Sequence, residues 1–155
     1  MKDIREYAAG YLNIKPRTEK QLIRYLTGKG FDEKDAEDVA GEFREYHYID
    51  DMDYSVMYFQ YGFEKGRGII RIKRELAERG VGSEIIEAAY DKMIEMGEIP
   101  DQYKAALSIA HGMTGGICMQ ELEYDSRRKL QAKVARKLVS RGFSQDIVYR
   151  VIKNL

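Results

Sequence analysis

Residues 22–43, 72–93 and 134–155 of this chain can be laid on one another without a gap. A self-similar chain of this kind folds by setting copies of one small unit side by side, since no single copy can bury its apolar face alone. Each stretch reads as helix, turn, helix. Leu26, Leu76 and Leu138 are each preceded four residues earlier by an apolar residue (Leu22, Ile72, Val134). Four residues after each leucine comes a glycine (Gly30, Gly80, Gly142), and then Phe31, Val81 or Phe143. Apolar residues at i and i+4 form one stripe facing a core, and a glycine just past a helix supplies the left-handed conformation that closes it. Lys29, Arg79 and Arg141 precede the glycines and set a cation at the negative end of each helix dipole.

A further helix precedes each pair, at about 3–14, 52–64 and 102–111, with a longer linker to the pair in the third copy. Breaks are expected at 16–18, 28–30, 49–51, 62–68, 80–82, 97–100, 112–116 and Gly142, where Gly, Pro or Asp interrupts the apolar period. The reading is an all-α chain of nine helical segments: a tandem array of three three-helix repeats at 1–50, 51–99 and 100–155.

The chain has 155 residues with 26 Lys+Arg and 26 Asp+Glu, so its net charge is zero and it is no uniformly basic nucleic-acid binder. The charges are segregated all the same. Residues 32–53 hold ten acids against Lys34 and Arg44, whereas residues 127–142 hold seven bases and no acid. Such a chain suits docking to a patterned partner. Cys118 is the only cysteine, so no internal disulfide forms, and with no apolar run long enough for a signal or a membrane span the expected setting is the cytoplasm.

With the core leucine of each repeat turned inward, the residue two before it points out, giving Arg24, Arg74 and Arg136. The same register turns Gln21, Arg71 and Lys133 outward, and Lys129 extends that row. A guanidinium recurring once per repeat is what a periodic partner would need, because it pairs bidentately with carboxylate or phosphate. In the loop 62–68 (GFEKGRG), Lys65 and Arg67 are candidates to touch phosphate or a carboxylate. The loop lacks the Gly-Lys-Ser/Thr ending of a nucleotide cradle and reads as a flexible turn. Asp50 and Asp51 read as caps of the helix from Met52 rather than as paired catalytic carboxylates. His47 and His111 fall in different repeats with no third imidazole, so neither a metal site nor a cofactor is expected. The crowd of aromatics from Phe43 to Phe63 reads as packing. No nucleophile, base and orienting group come together in the sequence, so no catalytic residue is assigned.

Three stretches in this order, YIDDMDYS (48–55), GIIRIKRELAERGV (68–81) and KLVSRGF (137–143), resemble the signatures of the RecX family of recombination regulators. The resemblance covers nearly the whole chain. It departs from the family pattern at Gln60 and Gly62, where relatives often carry arginine, at Ser55 in place of alanine, and over the glycine-rich 112–120. The resemblance implies a curved, elongated tandem of three-helix units, monomeric and non-enzymatic. It implies binding in the groove of a RecA filament on DNA, restraining filament growth, strand exchange, ATP turnover and coprotease action. Arg24, Lys65, Arg67, Arg71, Arg74, Lys129, Lys133 and Arg136 are the candidate contacts. The competing expectation is a helix-turn-helix module that binds DNA directly, without RecA.

Overall fold

The computed structural model describes residues 3–155, and among them the fold is helical throughout. In chain order the helices are α1 (Ile4–Ile14), α2 (Glu19–Gly28), α3 (Glu33–Glu45), α4 (Asp51–Glu64), α5 (Ile69–Glu78), α6 (Ser83–Glu95), α7 (Gln102–Thr114), α8 (Tyr124–Arg141) and α9 (Gln145–Lys153). A single 3-10 turn, Met119–Glu121, interrupts the linker before α8. The starts follow the capping chemistry of the sequence. Asp3, Thr18, Asp101 and Ser144 each accept a backbone N–H from the first turn of their helix, and Thr18 with Gln21 closes a full capping box.

One helix runs further than the glycines suggested. α7 passes through Gly112 and ends only at Gly115 and Gly116, which take φ of +58° and +80°. A helical glycine costs only about 1 kcal/mol relative to alanine. Buried Ala110 and Thr114, one on each side of Gly112, hold the helix in register. Gly62 likewise lies inside α4. A Cβ there would sit 2.5 Å from Ile72 Cγ1, so close packing explains why a larger residue is absent. Ser55 is fully buried, and its hydroxyl donates back to the Asp51 carbonyl at 2.7 Å.

The chain divides into two compact units, Met1–Tyr58 with Glu75–Met96, and Phe59–Arg74 with Gly97–Leu155. The first has a core of Ala8, Leu22, Leu26, Val39, Ala40 and Phe43, and Tyr11 stacks on Tyr25 at 4.0 Å beside it. The second has a core of Ala106, Ala110, Val134, Leu138, Phe143 and Val151. Leu26, Leu76 and Leu138, aligned by the repeat, are all fully buried. The acids expected to be caps divide their work. Asp50 caps α4, accepting from Met52 and Asp53 N–H. Asp51 reaches away from its own helix and accepts the Glu19 N–H at the start of α2.

That reach belongs to a joint that occurs once in each unit. In the first unit the Glu19 N–H donates to Asp51 at 3.0 Å, and the Thr18 hydroxyl donates to the Arg79 carbonyl at 2.7 Å. In the second unit the Ile69 N–H donates to Gln102 Oε1 at 3.3 Å, and the Gly68 N–H donates to the Arg141 carbonyl at 2.7 Å. The repeat alignment makes Thr18 equivalent to Gly68, Glu19 to Ile69, and Arg79 to Arg141. In each joint, the orphan N–H groups that begin one helix are satisfied by the next repeat.

The two joints differ in charge. Burial pushes the Asp51 carboxyl above the ordinary aspartate range, and Glu19 and Asp50 repel it further, against the Glu19 N–H and Arg44 that favour its charge. With a folded pKa above the unfolded one, the cost of ionising Asp51 is absent below the ordinary carboxylate range and complete above the raised value, so this contribution to stability falls as pH rises through that window. Asp51→Asn keeps an acceptor for Glu19, as neutral Gln102 does for Ile69. It is expected to be at least as stable as the wild type at neutral pH, with the advantage vanishing in acid. Asp51→Ala lacks the acceptor and is expected to lose about 1 kcal/mol. Urea melts of both variants at neutral and acid pH check this; a destabilised asparagine variant would contradict it.

Candidate partner-binding surface

The outward register holds at its main positions. Arg24 on α2, Arg74 on α5 and Arg136 on α8 are all exposed, each two residues before a leucine that is fully buried. Arg24 lies in the first unit; Arg74 and Arg136 lie in the second. Lys129 and Lys133 are exposed on α8 and, with Arg136, fall at i, i+4 and i+7, one row along an 18-residue helix. Val134 and Leu138 form the buried row of the same helix.

Two positions depart from the expected wheel. Gln21 and Arg71 were expected outward, yet both are half-buried. Gln21 is held by the capping box with Thr18. Arg71 sits at the joint, where its N, Cα and Cβ press on Gly142 so closely that a Cβ on the glycine would collide with all three. A helix wheel cannot register a neighbouring backbone.

Of the stretch 62–68, residues 62–64 belong to α4, and the turn that follows is tied by backbone hydrogen bonds. Gly66 N–H donates to the Phe63 carbonyl, Arg67 N–H to Gly62, Gly68 N–H to Arg141, and Ile70 N–H to Gly142. Together with Ile69 on Gln102, these bonds occupy the amides that a phosphate would use at the start of α5. Lys65 is exposed and Arg67 half-buried, and their charges lie 5.7 and 5.3 Å from the centre of the Tyr61 ring. Arg141 donates to the Lys65 carbonyl at 3.0 Å.

The aromatic crowd splits. Phe43, Tyr54, Tyr58 and Phe59 are buried, whereas Tyr46, Tyr48 and Tyr61 are exposed. His47, between two exposed tyrosines, takes φ of +62° at the position where the second repeat carries Gly97. Among the described residues, no three His, Cys, Asp or Glu side chains are placed to hold a metal ion. Cys118 is exposed. A groove of about 350 Å³ in the second unit is lined by Met119, Arg127, Gln131, Tyr149 and Ile152, but Arg127 is committed to the carbonyls of Met119, Gln120 and Leu122. That arginine ties the linker to α8, a role the sequence reading missed.

A property legible only once the units are known is their charge. The first carries 11 Lys+Arg and 19 Asp+Glu, a net of −8; the second carries 15 and 7, a net of +8. The molecule therefore presents exposed, charged helix faces on a scaffold of helical repeats. The three-helix domains of RecX match this chain in order, the first at residues 5–42, the second at 50–89 and the third at 120–152. The chain belongs to the RecX family.

Relatives agree. The regulatory protein RecX of Lactobacillus delbrueckii subsp. bulgaricus is 28% identical over 156 residues, covering 97% of this chain and 52% of the relative. That of Clostridium botulinum is 28% identical over 149 residues, covering 96% and 66%. The chain thus spans about half the length of the first relative and about two thirds of the second. The crystal structure of RecX from Lactobacillus salivarius superposes with a TM-score of 0.78 at 22% identity, over 98% of this chain and 94% of that one. Among the described residues, no helix is long and apolar enough to cross a membrane.

Proposed function

We propose that this chain, a member of a family of regulatory proteins, binds a RecA recombinase filament and restrains its strand exchange, ATP turnover and coprotease activity in DNA repair and recombination. The observation that carries the reading is the exposed arginine recurring once per repeat, Arg24, Arg74 and Arg136, each set by a fully buried leucine two residues on. A filament offers the same subunit surface at regular intervals, and guanidinium groups on rigid helices suit carboxylates repeated along it. Lys65, Arg67, Arg71, Lys129 and Lys133 are the supporting contacts, and the repeats at 1–50, 51–99 and 100–155 are the units that engage successive subunits. Inhibition is then steric and needs no catalytic group.

The test is co-sedimentation with RecA filaments on single-stranded DNA, wild type against Arg24→Glu/Arg74→Glu/Arg136→Glu. The variant is expected to bind at least about tenfold more weakly while its circular dichroism stays helical, since each charge-assisted pair contributes about 1.5 kcal/mol or more. A folded variant that still binds discards these arginines. A wild type that neither co-sediments nor slows ATP hydrolysis across a titration discards the partner.

The exposed row Lys129, Lys133 and Arg136 favours a second reading, direct binding of DNA without RecA. Phosphate contacts make such binding fall steeply with salt. A mobility-shift assay without RecA at two salt concentrations separates the two readings.

A further inference from the structure

The two units carry equal and opposite net charge, −8 and +8, in a chain whose total is zero and whose isoelectric point is near 6.8. Zero net charge removes the repulsion between copies that keeps most soluble proteins apart. Each sign is concentrated on one exposed helix. On α3, Asp35, Asp38 and Glu45 are exposed along one row, with Glu42 in the same row and paired to Arg5 at 3.0 Å. On α8, Lys129, Lys133, Arg136 and Lys137 are exposed. The spacings match, because Asp38, Glu42 and Glu45 stand at i, i+4 and i+7, as do Lys129, Lys133 and Arg136.

The acidic row has large apolar side chains in water just after its C-terminal end, and the basic row has one beyond each of its ends. Tyr46 and Tyr48 follow α3 and are 65% and 66% exposed; Tyr124 and Val139 on α8 are 66% and 55% exposed. Exposed ion pairs contribute little one by one, so a specific contact needs several of them together with apolar surface that it dehydrates. Both rows and both apolar sets are present, one on each unit.

We infer that the acidic α3 face of one copy docks on the basic α8 face of a second copy, so that copies of this chain associate. The contact joins two different faces, one from each unit. It goes beyond the RecA reading and does not rest on it, although α8 would be shared by both partners.

Sedimentation equilibrium of the full chain alone, with no recombinase or DNA present, tests the inference. In salt of about 0.01 M, where charges act over about 30 Å, the weight-average mass is expected to rise with protein concentration; in about 0.5 M salt it should return to the monomer value. Two charge-reversed variants sharpen the result. Lys129→Glu/Lys133→Glu/Arg136→Glu alone and Asp35→Lys/Asp38→Lys/Glu45→Lys alone should each remain monomeric at low salt. An equimolar mixture of the two restores both kinds of complementary contact and should associate, with circular dichroism checking that both variants are helical. A wild type that stays monomeric at low salt overturns the inference. So does a mixture no heavier than its components.

Discussion

Gly142→Ala is expected to destabilise the protein by about 3 kcal/mol or more, and Gly30→Ala by only about 1 kcal/mol. The two glycines are equivalent in the repeat and share nearly the same left-handed backbone, with φ of +99° and +98°. An alanine at either position carries the strain of that conformation. Around Gly30 nothing lies within 4 Å of an added Cβ, so the strain is the whole effect. At Gly142 the added carbon collides with the N, Cα and Cβ of Arg71, atoms of a helix that cannot move alone. The joint must open, and with it go the hydrogen bonds from Gly68 N–H to the Arg141 carbonyl and from Ile70 N–H to the Gly142 carbonyl, each contributing about 1 kcal/mol. Gly80→Ala falls between, because its added carbon meets Lys20 Cβ, Cγ and Cδ, so α2 must shift, but it strikes no backbone atom directly as it does at Gly142. Urea denaturation of the three variants gives the order Gly30, Gly80, Gly142. Equal losses at all three would mean that the joint carries no more than the cap.

Leu138→Ala is expected to cost about 3–5 kcal/mol, the upper part of the usual range for such a truncation. Leu138 is fully buried among Ala106, Ala110, Val134, Phe143 and Val151. Two of those neighbours are alanines on α7, which have no side-chain length with which to fill the space, so the cavity persists. The carbonyl of Leu138 also accepts the Phe143 N–H that closes the end of α8. A loss of this size is a large share of the 5–15 kcal/mol that holds a typical domain folded. The second unit is therefore expected to lose hydrogen-exchange protection first. Uniform loss of protection across both units would show instead that they unfold as one.

The core was legible because its signal is local. Leu22 with Leu26, Ile72 with Leu76, and Val134 with Leu138 repeat at helical spacing, and any helix carrying such a stripe must bury it. Asp50 as a cap and Arg24, Arg74 and Arg136 as exposed side chains follow from the same local geometry. The errors have a common origin in contacts between residues far apart in sequence. Arg71 leaves the outer face because Gly142 arrives beside it, and Asp51 turns from its own helix because Glu19 offers an unsatisfied N–H. The turn before α5 is tied down because the Gly68 N–H finds the Arg141 carbonyl and the Ile70 N–H finds the Gly142 carbonyl.

The three-helix period, the helix ends and the sign of each charged face were all set by residues within a turn or two of one another, where propensity and capping act. Tertiary structure decided which of three look-alike glycines is a contact and how charge divides between the two units. Both depend on contacts between residues far apart in the chain, such as the Thr18 hydroxyl on the Arg79 carbonyl and the Gly68 N–H on the Arg141 carbonyl. No pattern read along a single helix contains that information.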